Sequence, residues 1–391
     1  MAKIDDSVKK KVPELRFKGF TDEWEERKFA DFIDVKSGKD YKHLNSGSIP
    51  VYGTGGYMLS VDRALSDIDA IGIGRKGTID KPYLLKAPFW TVDTLFYAVP
   101  KQNIDLQFSL SIFKKINWKK FDESTGVPSL SKTVINSVSV SVPSYEEQQK
   151  IGSFFKQLDD TIALHQHKLD LLKEQKKGYL QKMFPKNGAK VPELRFAGFA
   201  DDWEERKLID LATTYIGLVT TMTENYTNKG TLLIRNSDIK EGRFDLSNPI
   251  YLEEQFAEEN KTRRMRKGDV VTVHTGDIGT SAMINSKLDG AIGFATITTR
   301  PTKELDSNFL AWYFNSNYHK KYAKRMSTGD GRSNYNMKDF NKNVIPTPQI
   351  DEQQKIGAFF KQLDDTIALH QRKLDLLKEQ KKGFLQTMFA K

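Results

Sequence analysis

The sequence predicts an α+β chain: two globular mixed α/β domains separated by two long helices that can pair as a coiled coil around a pseudo-two-fold axis. Three observations carry that expectation. The segment Glu146–Phe184 recurs as Asp351–Phe389, and of 39 aligned positions only five differ. A second segment, VPELRFKGFTDEWEERK (Val12–Lys28), recurs as VPELRFAGFADDWEERK (Val191–Lys207). The stretches between the copies barely resemble one another. Near-identical frames around dissimilar inserts imply one structural task done twice and one reading task done two ways. The expected layout is an N-terminal arm with a first domain over 1–145, a first helix over 146–190, a second domain over 191–350 and a second helix over 351–391.

The long repeat is helical by its period. Ile151, Phe155, Leu158, Ile162, His165, Leu169, Leu172, Lys176, Tyr179 and Met183 follow alternating steps of four and three. The second copy places Ile356, Phe360, Leu363, Ile367, His370, Leu374, Leu377, Lys381, Phe384 and Met388 in the same register. An apolar seam sustained over more than four heptads, with charges elsewhere, argues a coiled coil. Two amphipathic helices packed separately on their own domains would show the same period. Near-identity favours pairing, because two copies of one seam are self-complementary. Antiparallel pairing would put the inserts at opposite ends. A helix over Ile151–Phe184 would be about 50 Å long at ~1.5 Å per residue, the scale of adjacent major-groove half-sites roughly 34–36 Å apart. His165 and His370 in the seam read as packed core residues rather than metal ligands.

The inserts read as mixed α/β. IPVYG, DAIGIG, TLFYAV, SVSVSVP, TLLIR, DVVTVH and FATITT are strand-like, and SGS, GTGG, TGD and GDG are turn signals. The inserts share a faint plan. Ile104–Lys115 parallels Leu305–Ser316, with Asp105/Asp306, Phe108/Phe309 and Phe113/Phe314 in register, and STG stands at Ser124–Gly126 and Ser327–Gly329.

Composition bounds the function. The chain of 391 residues has no cysteine, which excludes disulfides, thiolate metal sites and a cysteine nucleophile. It has no apolar run near membrane-spanning length and no apolar signal core, so a cytoplasmic protein is expected. The net charge is +10, but residues 21–145 carry only +1 and residues 200–351 carry zero. The frame holds the excess, so a DNA-reading surface on an insert must be a local patch.

Several motifs invite a catalytic reading, and none completes it. Gly72–Gly77 matches G-x-G-x-x-G, yet TIDKPYLLKAPFW follows where a dinucleotide site needs a helix. Asn248-Pro249-Ile250-Tyr251 weakly resembles an amino-methyltransferase loop without its second proline. Tyr52–Tyr57, YGTGGY, lacks the helix that an adenosylmethionine loop should feed. The carboxylates of WEERK and QLDD read as solvated faces. The chain is therefore expected not to be a catalyst.

The remaining candidates are loop residues suited to DNA. Arg75 and Lys76, with Thr78, follow the strand DAIGIG on a glycine-rich turn that can approach a phosphate or a guanine. His274, Thr275 and Asp277 follow the strand DVVTV in the same manner. Arg263, Arg264 and Arg266, with Lys267, form the densest basic cluster within an insert, suited to phosphates or to a solvated turn. After the STG signals come Ser129, Ser131 and Lys132 in one insert and Arg332, Asn334, Tyr335 and Asn336 in the other. Arginine reads guanine and asparagine reads adenine by paired hydrogen bonds in the major groove.

Taken with the duplicated layout, PELRFxGFxDxWEERK opening each half, S-T-G near each insert's end, and P-x-x-[ED]-EQQKIG-x-FFKQLDDTI leading into each helix closely resemble the DNA-specificity subunit of type I restriction–modification enzymes. The resemblance covers essentially the whole chain. It implies two target-recognition domains, each reading half of a bipartite, non-palindromic target, with an antiparallel coiled coil setting the unread spacer. It implies a non-catalytic adaptor that binds double-stranded DNA and two methyltransferase subunits, joined in some complexes by translocase–endonuclease subunits. No cofactor is expected on this chain; S-adenosylmethionine would sit on the methyltransferase partners. Recognition domains diverge to read different sequences, so the resemblance transfers no base-reading residues. A free-standing bipartite DNA-binding regulator and a divergent DNA methyltransferase are the competing readings.

Overall fold

Both copies of the long repeat fold as single helices, over Tyr145–Lys182 and Ile350–Thr387, each of 38 residues. The first helix starts six residues before the first seam position. Ser144 caps it, with its Oγ accepting from the Glu147 amide at 3.4 Å, and Glu146 and Glu147 lie in its positive first turn. Pro185 follows its end, where a continuing helix would need an amide donor. The computed structural model describes residues 12–186, 188–219, 223–327 and 334–390. Within it the chain divides into two units, Met1–Gln166 with Arg372–Lys391, and His167–Gln371. The helices are thus not a separate body: each unit holds the first part of one helix and the last part of the other.

The first unit contains β1 (Glu25–Lys28), α1 (Phe29–Phe32), β2 (Ile33–Ser37), β3 (Ser46–Gly53), β4 (Gly56–Val61), β5 (Ala70–Gly74), β6 (Tyr83–Leu85), β7 (Trp90–Thr91), β8 (Leu95–Pro100), α2 (Leu106–Lys115), α3 (Lys132–Ser137), β9 (Ser139–Val142) and the start of α4 (Tyr145–Lys182). A four-stranded sheet runs β2-β8-β5-β6, a three-stranded sheet runs β4-β3-β7, and β1 pairs with β9. β5 is buried at every position, which is why DAIGIG reads as a continuous apolar run rather than an alternating one. Asp105 caps α2 by accepting from the Phe108 amide at 2.7 Å.

The second unit contains β10 (Glu204–Lys207), α5 (Leu208–Leu211), β11 (Ala212–Ile216), β12 (Tyr226–Thr227), β13 (Thr231–Arg235), β14 (Ile239–Lys240), β15 (Arg243–Phe244), β16 (Ile250–Leu252), α6 (Glu254–Glu259), β17 (Val270–Val273), β18 (Ser281–Met283), β19 (Ile292–Phe294), β20 (Thr296–Pro301), α7 (Ser307–Asn315), α8 (Asn317–Met326), α9 (Met337–Phe340), β21 (Val344–Thr347) and the start of α10 (Ile350–Thr387). The sheet β11-β20-β17-β18 repeats the four-stranded order of the first unit. Asp306 caps α7 as Asp105 caps α2. All seven strand-like runs of the sequence are strands. NPIY enters β16, paired with β13, so it is not the free loop that an amino-methyltransferase needs.

In each unit the helix segments run antiparallel. Phe154 meets Phe384 edge-on at 5.1 Å in the first unit, and Phe359 meets Tyr179 at 5.0 Å in the second. Asp159 pairs with Lys381, and Asp364 with Lys176 at 2.6 Å. The QLDD carboxylates are therefore not simply solvated: the first aspartate of each copy is a partly buried bridge between helices, and Asp159 also takes Lys114 at 2.8 Å. Ile151 and Phe155 join the core of the first unit with Met388 and Phe389, and Ile356 and Phe360 join that of the second with Met183 and Phe184. Leu169 and Leu374 are each 1% exposed, while Leu158, Ile162, His165, Leu172, Leu363, Ile367, His370 and Leu377 are half-buried.

The frame is near-identical because its two motifs dock on each other. Arg16 of PELRF forks onto Glu147 of EEQQKIG with two bonds of 2.7 Å, and Arg195 does the same to Glu352. Gln148 accepts from the Asp105 amide and Gln353 from the Asp306 amide. Gly152 and Gly357 let the helix lie against those caps. A Cβ on Gly152 would sit 2.2 Å from Asp105 Oδ1 and 2.7 Å from the Phe108 amide nitrogen. Gly152→Ala is expected to destabilise the first unit by about 1–3 kcal/mol through overpacking. Urea denaturation of the full chain measures it.

Candidate nucleic-acid interface

In the first unit two distant loops are fastened together. β5 leads into Arg75, Lys76, Gly77 and Thr78. Lys76 forms an antiparallel bridge with Ser129. The Leu130 amide donates to the Arg75 carbonyl at 2.9 Å, and the Gly77 amide donates to that of Pro128 at 2.8 Å. The loops border a cavity of about 630 Å³. Its lining includes Arg75, Lys76, Ser129, Ser131 and Lys132, five of the six residues predicted in this unit. Thr78 is half-buried and does not line it.

The cavity is mixed in charge. Asp93 and Glu123 line it beside the three cations, and Phe96 also contributes to its wall. The Arg75 guanidinium carbon lies 5.8 Å from the Phe96 ring centroid, and the guanidinium reaches the Asp93 carbonyl at only 3.4 Å, on an exposed side chain. Its donors are thus mostly uncommitted, while the ring fixes its direction. Ser131 is partly spent. Its Oγ accepts from the Val134 amide at 3.1 Å as the cap of α3, so its first role is structural. Asp93, Thr94 and Phe96 are lining residues that the sequence does not single out: Thr94 and Phe96 read only as part of the strand TLFYAV, and Asp93 precedes it.

The second unit repeats the scaffold with other side chains. Thr275 bridges to Asn334, and the Tyr335 amide donates to the His274 carbonyl at 2.9 Å. His274 Nδ1 lies 2.9 Å from Thr275 Oγ1, and burial holds its pKa below the ordinary histidine value, so it presents a neutral ring at pH 7. Asp277 accepts from the Thr280 hydroxyl at 2.8 Å while remaining exposed. Asn334 is exposed at the bridge.

Several candidates in this unit have other duties. Tyr335 is fully buried, with its hydroxyl accepting from Asn343 Nδ2 at 2.6 Å, so it cannot read a base. Asn336 caps α9, accepting from the Asp339 amide at 2.9 Å, as Ser131 caps α3. Arg264 is bound to Thr231, Gly290 and Glu254. Arg263 donates to the Ile216 carbonyl. Arg264 therefore links β13 to α6 and the Gly290 turn, Arg263 anchors on β11, and of that cluster Arg266 and Lys267 are exposed. Arg332 lies outside the described residues. Asn236 is an unforeseen member of this site: its Oδ1 accepts from the His274 amide at 2.9 Å.

Residues 21–174 and 200–379 each match the family described as type I restriction modification DNA specificity domain. The chain is 21% identical over 335 residues to the type I restriction enzyme MjaVIII specificity subunit of Methanocaldococcus jannaschii, across 83% of this chain and 76% of that protein. It is 25% identical over 166 residues to the EcoBI specificity subunit of Escherichia coli, across 42% and 35% of the two. The crystal structure of a type I restriction–modification S subunit from M. genitalium is similar with a TM-score of 0.70 at 15% identity, covering 97% of this chain and 99% of that one. A chain from a structural study of type I restriction–modification complex assembly and conformational transition gives 0.54 at 16%, covering 94% and 97%.

Proposed function

The chain belongs to the type I restriction modification DNA specificity domain family, and from that premise we propose that its two units read the two halves of a bipartite, non-palindromic DNA target. It is a non-catalytic DNA-recognition subunit that positions methyltransferase subunits, and with them restriction subunits, on double-stranded DNA. S-adenosylmethionine is placed on the methyltransferase partners. Among the described residues no helix is long and apolar enough to cross a membrane, and we assign the protein to the cytoplasm, where its DNA lies.

One observation carries the reading. The same pair of loops is joined by the same backbone bridge in both units, Lys76 to Ser129 and Thr275 to Asn334. The side chains presented differ: an exposed pair of cations in the first unit, and neutral His274, Thr275 and Asn334 with acidic Asp277 in the second. A shared scaffold with unlike donors and acceptors suits two unlike half-sites. Arg75 and Lys76 suit guanine N7 and O6 or a phosphate, and Asn334 suits adenine.

Arg75→Gln is expected to weaken binding of the specific duplex roughly tenfold and to relax selection at one position of one half-site, since a bidentate contact carries about 1–3 kcal/mol. Mapping methylated adenines in DNA exposed to the complex, followed by fluorescence anisotropy on duplexes mutated at each half-site, measures it. Equal loss at both half-sites would refute the assignment of one half-site to each unit.

A further inference from the structure

The YGTGGY stretch, which failed as a cofactor loop, is the tip of the β3–β4 hairpin. We propose that this tip enters a groove of duplex DNA and places Tyr57 and Met58 in apolar contact with base and sugar edges, next to the bases addressed by Arg75 and Lys76. The inference rests on the assignment of the Arg75–Lys76 loop as a DNA-reading element.

Four observations converge on the tip. First, it adjoins that loop: a Cβ built on Gly77 would lie 3.7 Å from Thr54 Oγ1, while the Gly77 amide binds the Pro128 carbonyl. Gly77 is thus where the hairpin tip, the basic loop and the Ser129 loop meet. Second, Tyr57 is 63% exposed and Met58 is 49% exposed, on a hairpin with no charged side chain from Leu44 to Val61. In a chain with 29% charged residues, that stretch has little charge to desolvate when it meets base edges.

Third, the tip is braced before any partner arrives. Tyr57 sets its ring edge-on to Tyr52 at 6.4 Å, Tyr52 packs on Tyr83 at 6.2 Å, and the Tyr83 hydroxyl donates to the Gly53 carbonyl at 2.6 Å. The Tyr57 hydroxyl lies 3.1 Å from Ser60 Oγ. Fourth, the fold does not require both tip glycines. Gly56 has φ +107 and needs to be glycine, whereas Gly55 shows no such φ and a Cβ on it would meet nothing within 4 Å. A side chain at position 55 would point into open space, which is the space an approaching polymer needs. Continuity with the basic loop identifies that polymer as DNA rather than a protein partner.

The corresponding turn of the second unit differs. There β13 and β16 are joined by an excursion through β14 and β15, with Asn236 bound to the His274 amide. The wedge therefore belongs to one half-site alone.

Tyr57→Ala and Gly55→Val in the full chain test the idea, alongside Arg75→Gln with Lys76→Gln. The probe is the duplex enriched by the unaltered protein from a randomised pool, and thermal unfolding controls for folding. Each tip variant is expected to weaken that duplex about tenfold or more with unchanged unfolding, Tyr57→Ala by removing the apolar contact and Gly55→Val by obstructing the close approach. If both tip variants bind normally while the Arg75/Lys76 variant fails, the wedge is wrong and the reading loop stands. If the tip variants alone lose binding, the loop assignment falls and takes with it the placement of the tip beside bases addressed by Arg75 and Lys76. If all bind normally, both fall. Tip variants that bind DNA normally yet lose a methyltransferase partner would show that the tip faces protein.

Discussion

Replacing Arg16 with alanine should lower the stability of the first unit by about 3–5 kcal/mol, the cost of stranding one member of a buried ion pair. The Glu147 side chain is 1% exposed and that of Arg16 only 14%. The fork joins segments 131 residues apart, so it fastens the arm that opens the unit to the helix that closes it. The paired bonds to Glu147 also hold the Arg16 guanidinium pKa above its ordinary value despite burial. Removing Arg16 leaves a carboxylate with neither water nor its fork. Arg16→Met combined with Glu147→Leu should recover much of the loss, because an apolar pair of similar volume carries no desolvation cost. Hydrogen exchange resolved by unit, with urea denaturation, checks both. The Arg195–Glu352 pair repeats the geometry, so Arg195→Ala should weaken the second unit and spare amides of the first. Recovery absent in the double variant would mean that the charge itself is required there.

Acid should loosen the second unit by about 3 kcal/mol between pH 6.5 and 4 through one residue, His319. This imidazole is fully buried, and burial lowers its pKa from 6.5 to about 4, with nearby Lys320 adding to the shift. Its Nδ1 lies 2.8 Å from the Phe314 carbonyl and so carries the proton, leaving Nε2 to face the Tyr335 hydroxyl at 3.5 Å. The folded unit keeps the ring neutral while the unfolded chain protonates below pH 6.5. The unfolded state therefore gains protons first. The stabilising contribution is complete above about pH 6.5 and is lost as pH falls towards 4. His319→Gln should remove this slope, whatever its effect at pH 7, and denaturation across that range measures the difference. His319 also backs the reading loops: Tyr335 rests on it, and a Cβ on Gly279 would lie 3.4 Å from its ring. The half-site read by the second unit should accordingly fail before the other as pH drops.

The local signals were strong where the chain's contacts are local. A four–three period marks the helices because neighbours along a helix are only a turn apart, and it held for both long repeats. Continuous apolar runs such as DAIGIG marked strands buried on both faces. The parallel between Asp105 and Asp306 was visible as register and proved to be a pair of helix caps. Side-chain duty was less legible. Ser131 and Asn336 carry groups that read bases, and so does Tyr335, but a cap and a core hydroxyl use those same groups. Only the backbone path around them distinguishes the two uses. Arg263 and Arg264 look like Arg266 in the sequence, yet two are spent on carbonyls and acids and one is exposed.

By itself the sequence determined the duplication, the antiparallel-compatible seam, the two unlike inserts and the absence of cysteine chemistry, because each is written in residue identity or short-range period. Tertiary structure alone decided that Lys76 meets Ser129, that Thr275 meets Asn334, and that an uncharged hairpin stands beside the first of these pairs. Those meetings depend on backbone bridges between segments far apart in the chain. Their geometry comes from how the sheets pack, which no short-range pattern encodes.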